Sequence, residues 1–296
     1  MYKKEPIMPL LISHRMRGFD VTESSLEGLA RALNSSFDGV EFDTRVSLDR
    51  TLFVNHDPDL HAFGGHRLLI SNCDARELSN LVHPVTEKPL PTLREFLAIA
   101  SAHQRSDFYI CIDIKESGYE AQIVELIKTF QLMERVIFFS WVPQALMTMH
   151  AILPEAPLYF SYYPVTGRIY LLALKARAQF IRLYGSLMRK PNRYAQLKSY
   201  FHGPFNSDID DLSNSVGFET EYYSMRLPEG KFGEALRKSN GGVCADYRLI
   251  NKNFGRACRS AGFKLCCYGV RDNAIIKKIG SMQPDIILTD DPDLTK

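Results

Sequence analysis

The chain of 296 residues has only six cysteines, at 73, 111, 244, 258, 266 and 267. No two of them have the CxxC spacing of a zinc finger or a redox dithiol. They read as buried free thiols of a reducing compartment, and Cys266-Cys267 lie side by side in an apolar run. No apolar run approaches the roughly 20 residues of a membrane span. The opening Met1-Tyr-Lys-Lys-Glu-Pro6 is basic, but the run behind it turns polar by Ser13, too soon for a secretory signal. A cytoplasmic location is the expectation, with peripheral membrane contact left open. A surplus of one charge sign is also missing. Net charge is 36 − 34 = +2, which gives no footing for nucleic acid. There is no internal repeat and no low-complexity stretch. Hydrophobic residues at 45% and charged residues at 24% are ordinary for a soluble globular protein, and the length suits one large α/β domain or two small ones.

What is present is an alternation of apolar strands and amphipathic helices. Strands are expected at Leu10–Arg15, Val40–Val46, Tyr109–Lys115, Val136–Trp141, Pro157–Tyr162, Gly242–Tyr247, Phe263–Val270 and Asp285–Thr289. Helices are expected after Thr22-Glu-Ser-Ser25, after Pro91-Thr92, and over Ala121–Leu132, Pro143–Ile152, Asn251–Ala261 and Asn273–Ile279. Near eight strand–helix units argue for an α/β fold of the (β/α)8 TIM-barrel type. Residues 1–296 then form one domain. Roughly 163–240 breaks the rhythm and reads as a long insertion near the fifth and sixth strands. It holds a basic, aromatic helical piece (Arg168–Arg189), read as an amphipathic helix packed on the barrel rather than a membrane contact. Its Asn206, Asp208, Asp210 and Asp211 are discounted as a calcium loop, because the glycine and terminal glutamate fall at the wrong places.

The chemistry concentrates in Glu41-Phe-Asp-Thr-Arg-Val-Ser-Leu-Asp-Arg-Thr-Leu-Phe-Val-Asn-His-Asp57. Side chains at i and i+2 of a strand share a face, so Glu41 and Asp43 stand together and repel unless a cation lies between them. Alone, the stretch also suits a salt-bridged, solvated strand end with His56 incidental. A barrel, however, keeps its active site at the carboxyl ends of its strands, and polar residues recur there: His14-Arg15, Asp113 with Lys115, and Thr289-Asp290. Glu41, Asp43 and Asp113 would bring three hard oxygen donors to one point, suited to a single Mg²⁺ or Ca²⁺. Arg15 and Lys115 would hold phosphate oxygens. His14 and His56 would divide acid and base work. His61, His66, His83, His103, His150 and His202 lack such partners and read as surface or packing residues. Asp290 reads as a backbone-bonding residue of the closing strand.

These pieces resemble the glycerophosphodiester phosphodiesterases. The resemblance rests on His14-Arg15, Glu23, Glu41-x-Asp43, His56-Asp57, Pro91-Thr92-Leu93-x-Glu95, Asp113-Ile-Lys115 and Thr289-Asp290-x-Pro292, in the family's order over roughly 10–160 and 240–292. It implies a (β/α)8 barrel and a metal-dependent phosphodiesterase of phospholipid degradation, yielding glycerol phosphate and an alcohol. His14 and His56 would be the acid–base pair, Glu41, Asp43 and Asp113 the metal ligands, and Arg15 and Lys115 the phosphate contacts. A cyclic phosphate would form first where the neighbouring glycerol hydroxyl attacks. The chain departs from the family pattern at Met16 (usually Gly), at Thr22-Glu-Ser-Ser25 (usually Pro-Glu-Asn-Thr, only the acid kept), at Asp113 (usually Glu) and at Tyr268-Gly269 (usually Trp-Thr). Glu23, Trp141 and Tyr268 are pocket candidates. Glu23 equally suits the first turn of a helix, and Trp141 a core or rim position. A lysophospholipase D-type enzyme gripping an acyl tail, and a catalytically silent binding barrel, are the rival readings. The sequence does not set the oligomeric state.

Overall fold

In the computed structural model, which describes residues 8–61, 67–82, 88–161 and 227–294, the expected rhythm becomes a closed barrel. Its parallel strands run in the order β1 (Leu10–His14), β2 (Gly39–Val46), β6 (Tyr109–Ile114), β7 (Val136–Ser140), β8 (Leu158–Ser161), β9 (Gly242–Asp246), β10 (Lys264–Val270) and β11 (Ile286–Thr289). Closure comes from β11 lying beside β1, with Leu10 opposite Ile286 and Ser13 opposite Thr289.

The interior follows from the two-residue period of a strand. Ile12, Cys111, Ile137, Phe139, Tyr159, Cys244, Cys266, Ile286 and Leu288 form an apolar cluster inside the barrel, apart from the layer beneath the helices. Phe139 stacks on Tyr159 there at 5.1 Å. Two residues on, the same inward faces carry His14, Asp113, Trp141, Ser161, Asp246, Tyr268 and Asp290. Glu41 and Asp43 share that face, because they lie opposite Cys111 and Asp113 in register. An apolar floor with a polar rim at the carboxyl ends is the layout a barrel enzyme needs.

The helices form for local reasons. In α1 (Leu26–Leu33) the Ser25 side chain accepts the Gly28 N–H and Leu29, Ala32 and Leu33 are buried. α2 is Ala75–Asn80. In α3 (Leu93–Ala102) Thr92 and Glu95 form a reciprocal capping box, worth about 1 kcal/mol. Its Phe96 packs on Phe42 at 4.9 Å. α4 (Glu120–Thr129) ends three residues before the expected Leu132, and a separate 3₁₀ turn follows at Met133–Arg135. α5 (Pro143–Ile152) has proline in its first turn, where the missing N–H is harmless.

One helix and one hairpin were not legible as elements. α6 (Gly230–Lys238) lies inside the stretch read as insertion, yet it is the ordinary helix before β9. Two glycines mask its pattern, and Gly233 is there because a Cβ would meet the Pro228 carbonyl oxygen at 2.4 Å. Between β2 and α3 the chain also makes β3 (Leu52–Val54), antiparallel to β2, then the hairpin β4 (Asp59–His61) and β5 (Arg67–Leu69). These strands are too short to show a period. With α2 they enclose a small core of Phe53, Ile70, Cys73 and Leu78. α7 (Lys252–Ser260) and α8 (Asn273–Gly280) fall where expected. The Arg168–Arg189 segment and Asp208–Asp211 lie outside the described residues.

Candidate active site

β2 delivers Glu41 and Asp43, and β6 delivers Asp113. One ligand oxygen from each lies within 4.8 Å of the others, and all three residues are buried. Among the described residues this is the one group of three or more ligating side chains so gathered. Two cations come with it. Lys115 Nζ lies 2.7 Å from Asp43 Oδ1 and 2.8 Å from Asp113 Oδ2, and Arg15 Nε lies 3.1 Å from Asp43 Oδ2. The expected phosphate contacts thus rest on the carboxylates, within the same cluster.

Charge sorts the acids. Burial alone would raise the Asp43 carboxyl, but Lys115 and Arg15 hold it well below the usual carboxylate range. Asp113 is pushed up by burial against the pull of Lys115. Burial and the Asp43 charge push Glu41 well above the usual range. With Glu41 ionised, three carboxylates against two cations would leave one negative charge unmatched. Glu41 Oε2 and Asp113 Oδ1 are buried and receive no hydrogen bond, an expensive condition for carboxylate oxygens. Hard oxygen donors with unfilled lone pairs fit a hard divalent cation.

Both histidines reach this cluster. His14 Nε2 lies 3.9 Å from Glu41 Oε2, and Nδ1 lies 2.7 Å from Asp290 Oδ1. Hydrogen bonding to His14 keeps Asp290 ionised despite its partial burial, so Nδ1–H donates to it and Nε2 is left facing Glu41. His56, beyond β3, is close enough for its charge to act on Asp43, and its Nδ1 lies 2.8 Å from Asp57 Oδ1. Burial lowers both imidazoles, His56 to about 4. Asp290 therefore does more than bond backbone at the closing strand. Its motif gave no sign of this, because the contact spans 276 residues of chain.

The pocket candidates take definite places. Trp141, just beyond β7, and Tyr268, on β10, meet edge-to-face at 6.5 Å. Glu23 lies ahead of α1 and pairs with Arg17, which also approaches Asp290 at 3.7 Å. His103 and His150 are half-buried on or beside the outer helices, away from the cluster, and no side chain is described for His61, His66, His83 or His202.

The sequence profile of the Glycerophosphoryl diester phosphodiesterase family matches residues 14–184, more than half of the chain. A glycerophosphodiester phosphodiesterase of Bacillus altitudinis is 29% identical over 162 residues, 51% of this chain and 65% of that protein. Another, of Caldanaerobacter subterraneus, is 24% identical over 164 residues, 52% of this chain and 66% of that protein. The chain thus matches slightly under two thirds of the length of either relative. Among solved structures, an Oleispira antarctica phosphodiesterase in complex with the product sn-glycerol-3-phosphate superposes with a TM-score of 0.64, at 17% identity, over 96% of this chain and 94% of that one. The fold is shared over most of the chain, and the profile runs from the end of β1 past β8 and takes in Glu41, Asp43 and Asp113. The chain belongs to the glycerophosphoryl diester phosphodiesterase family.

Proposed function

We propose that the protein is a divalent-metal-dependent phosphodiesterase that hydrolyses glycerophosphodiesters to glycerol phosphate and an alcohol. The observation that carries this reading is the convergence of Glu41, Asp43 and Asp113, with donor-less oxygens on Glu41 and Asp113, flanked by two histidines each oriented through Nδ1 by an aspartate. The names of the related proteins and the bound product of the Oleispira antarctica structure support the choice of substrate class.

Glu41, Asp43 and Asp113 would hold Mg²⁺ or Ca²⁺, which when bound supplies Lewis-acid polarisation of a phosphoryl oxygen. Arg15 and Lys115 keep Asp43 ionised in a buried site and add positive charge beside an anionic diester. Asp290 and Asp57 fix the tautomers of His14 and His56, so each presents Nε2 for proton transfer. One imidazole takes the proton of the attacking hydroxyl, from water or from the neighbouring glycerol hydroxyl. The other returns a proton to the leaving alkoxide. A bound diester anion favours the charged form of each imidazole and a bound divalent ion opposes it, so the balance of the two sets which histidine carries the proton.

The test is turnover of a panel of water-soluble glycerophosphodiesters and lysolipids by wild type, His14→Ala and His56→Ala. The reading predicts product from the soluble diesters and losses of ~10²-fold or more in kcat for each variant with folding retained. Unchanged turnover in either variant removes the two-histidine mechanism, and preference for the lysolipid replaces the substrate class.

A further inference from the structure

We infer that Arg45 and Glu116 are positioning residues for His56, tying its backbone to the two strands that carry the candidate metal ligands. The inference rests on the two-histidine reading of the site. Arg45 is the third inward residue of β2 after Glu41 and Asp43, and only 4% exposed. Its Nε and Nη2 both donate to the His56 carbonyl, at 3.1 and 2.7 Å. Its Nη1 donates to Glu116 Oε1 at 3.1 Å, and Glu116 Oε2 accepts the Val46 N–H at 3.0 Å. Glu116 directly follows Lys115 at the end of β6. One buried guanidinium therefore joins the end of β2, the end of β6 and the residue after Asn55.

The arrangement answers a local problem. His56 does not stand on a barrel strand. It follows the three-residue β3, and the chain then leaves for the β4–β5 hairpin. Asn55 holds one side of the turn, donating its N–H to the Asp43 carbonyl at 3.1 Å and its side-chain amide to the Asp57 carbonyl at 2.7 Å. Arg45 holds the other. A single donor would satisfy a carbonyl; two from a planar fork also fix its direction. Burying a guanidinium is costly unless its donors are matched, and Glu116 supplies the opposite charge. The imidazole is thereby referenced to the metal-ligand strands rather than to a surface loop, as close positioning of an acid–base group requires.

The experiment is a double-mutant cycle read as kcat and KM for glycerophosphocholine at saturating Mg²⁺, with wild type, Arg45→Lys, Glu116→Gln, His56→Ala and each paired with His56→Ala. A lysine cannot chelate the carbonyl and reach Glu116 together. Arg45→Lys is expected to lower kcat about 10-fold or more with little change in KM, and to cost nothing further once His56 is alanine. Glu116→Gln keeps an acceptor for Val46 while removing the charge. It decides the question in the same cycle if Arg45→Lys does not fold. Wild-type kcat in both variants, or a loss of equal size in the His56→Ala background, overturns the inference while the two-histidine reading stands. Wild-type turnover by His56→Ala overturns that reading, and the clamp's role with it.

Discussion

Glu41 occupies a different electrostatic position from its two partners. Its ion-pair neighbour among the described residues is His14, at 3.9 Å, whereas Asp43 and Asp113 both touch Lys115. Its carboxyl is accordingly pushed well above the ordinary range, so in the metal-free protein it keeps a proton to higher pH than an exposed glutamate. A divalent ion binds the ionised form. Affinity should therefore rise with pH up to Glu41's folded-state pKa and flatten above it, with proton release on binding below that pKa. Calorimetric Mg²⁺ or Ca²⁺ titrations in buffers of different ionisation enthalpy read this release, and Glu41→Gln should reduce it together with the affinity. Pairing by i and i+2 made the acid cluster legible in sequence. The Asp290 contact with His14 and the Arg45 clamp were not, since each joins residues that only the closed barrel brings together. Met16 shows two effects opposed at one position. It sits where the family has glycine, at φ 56°, a conformation costing a non-glycine residue roughly 1–2 kcal/mol. Its side chain is fully buried against α1, and losing such a side chain costs about 2–5 kcal/mol. Burial wins, so Met16→Gly should lower the melting temperature despite restoring the family residue.

At the scale of elements, the loop after β1 and the tail after β11 act as one unit. Gly18 adopts φ 83°, and a Cβ there would meet the Asp290 carbonyl oxygen at 2.3 Å and Pro292 Cδ at 2.6 Å. The backbone cannot give without shifting Asp290, and with it the orientation of His14. Gly18→Ala should therefore reduce kcat as well as stability, measured by turnover and thermal melting. A loss of stability alone would separate the loop from His14. Strand–helix alternation was readable wherever an element was long enough to show its period, as in β2, β6 and α3. It failed for β4, β5 and α6, because three residues carry no period and two glycines erase one.

For the whole molecule, closure decides whether a site exists. The carboxylates arrive on β2 and β6, His14 on β1 and its orienting Asp290 beyond β11, so the ring must shut between first strand and last. Removing residues 285–296 should abolish cooperative unfolding rather than merely slow catalysis, as a melt followed by circular dichroism would show. The proposed metal dependence makes cleavage of a glycerophosphodiester conditional on a hard cation held by Glu41, Asp43 and Asp113. Its most direct test is phosphorus NMR of glycerophosphocholine incubated with enzyme stripped by chelator, before and after Mg²⁺ or Ca²⁺ is restored. No change in the diester signal is expected before restoration, and a growing glycerol phosphate signal after it. Equal turnover by the stripped enzyme, or none with either ion, would contradict it.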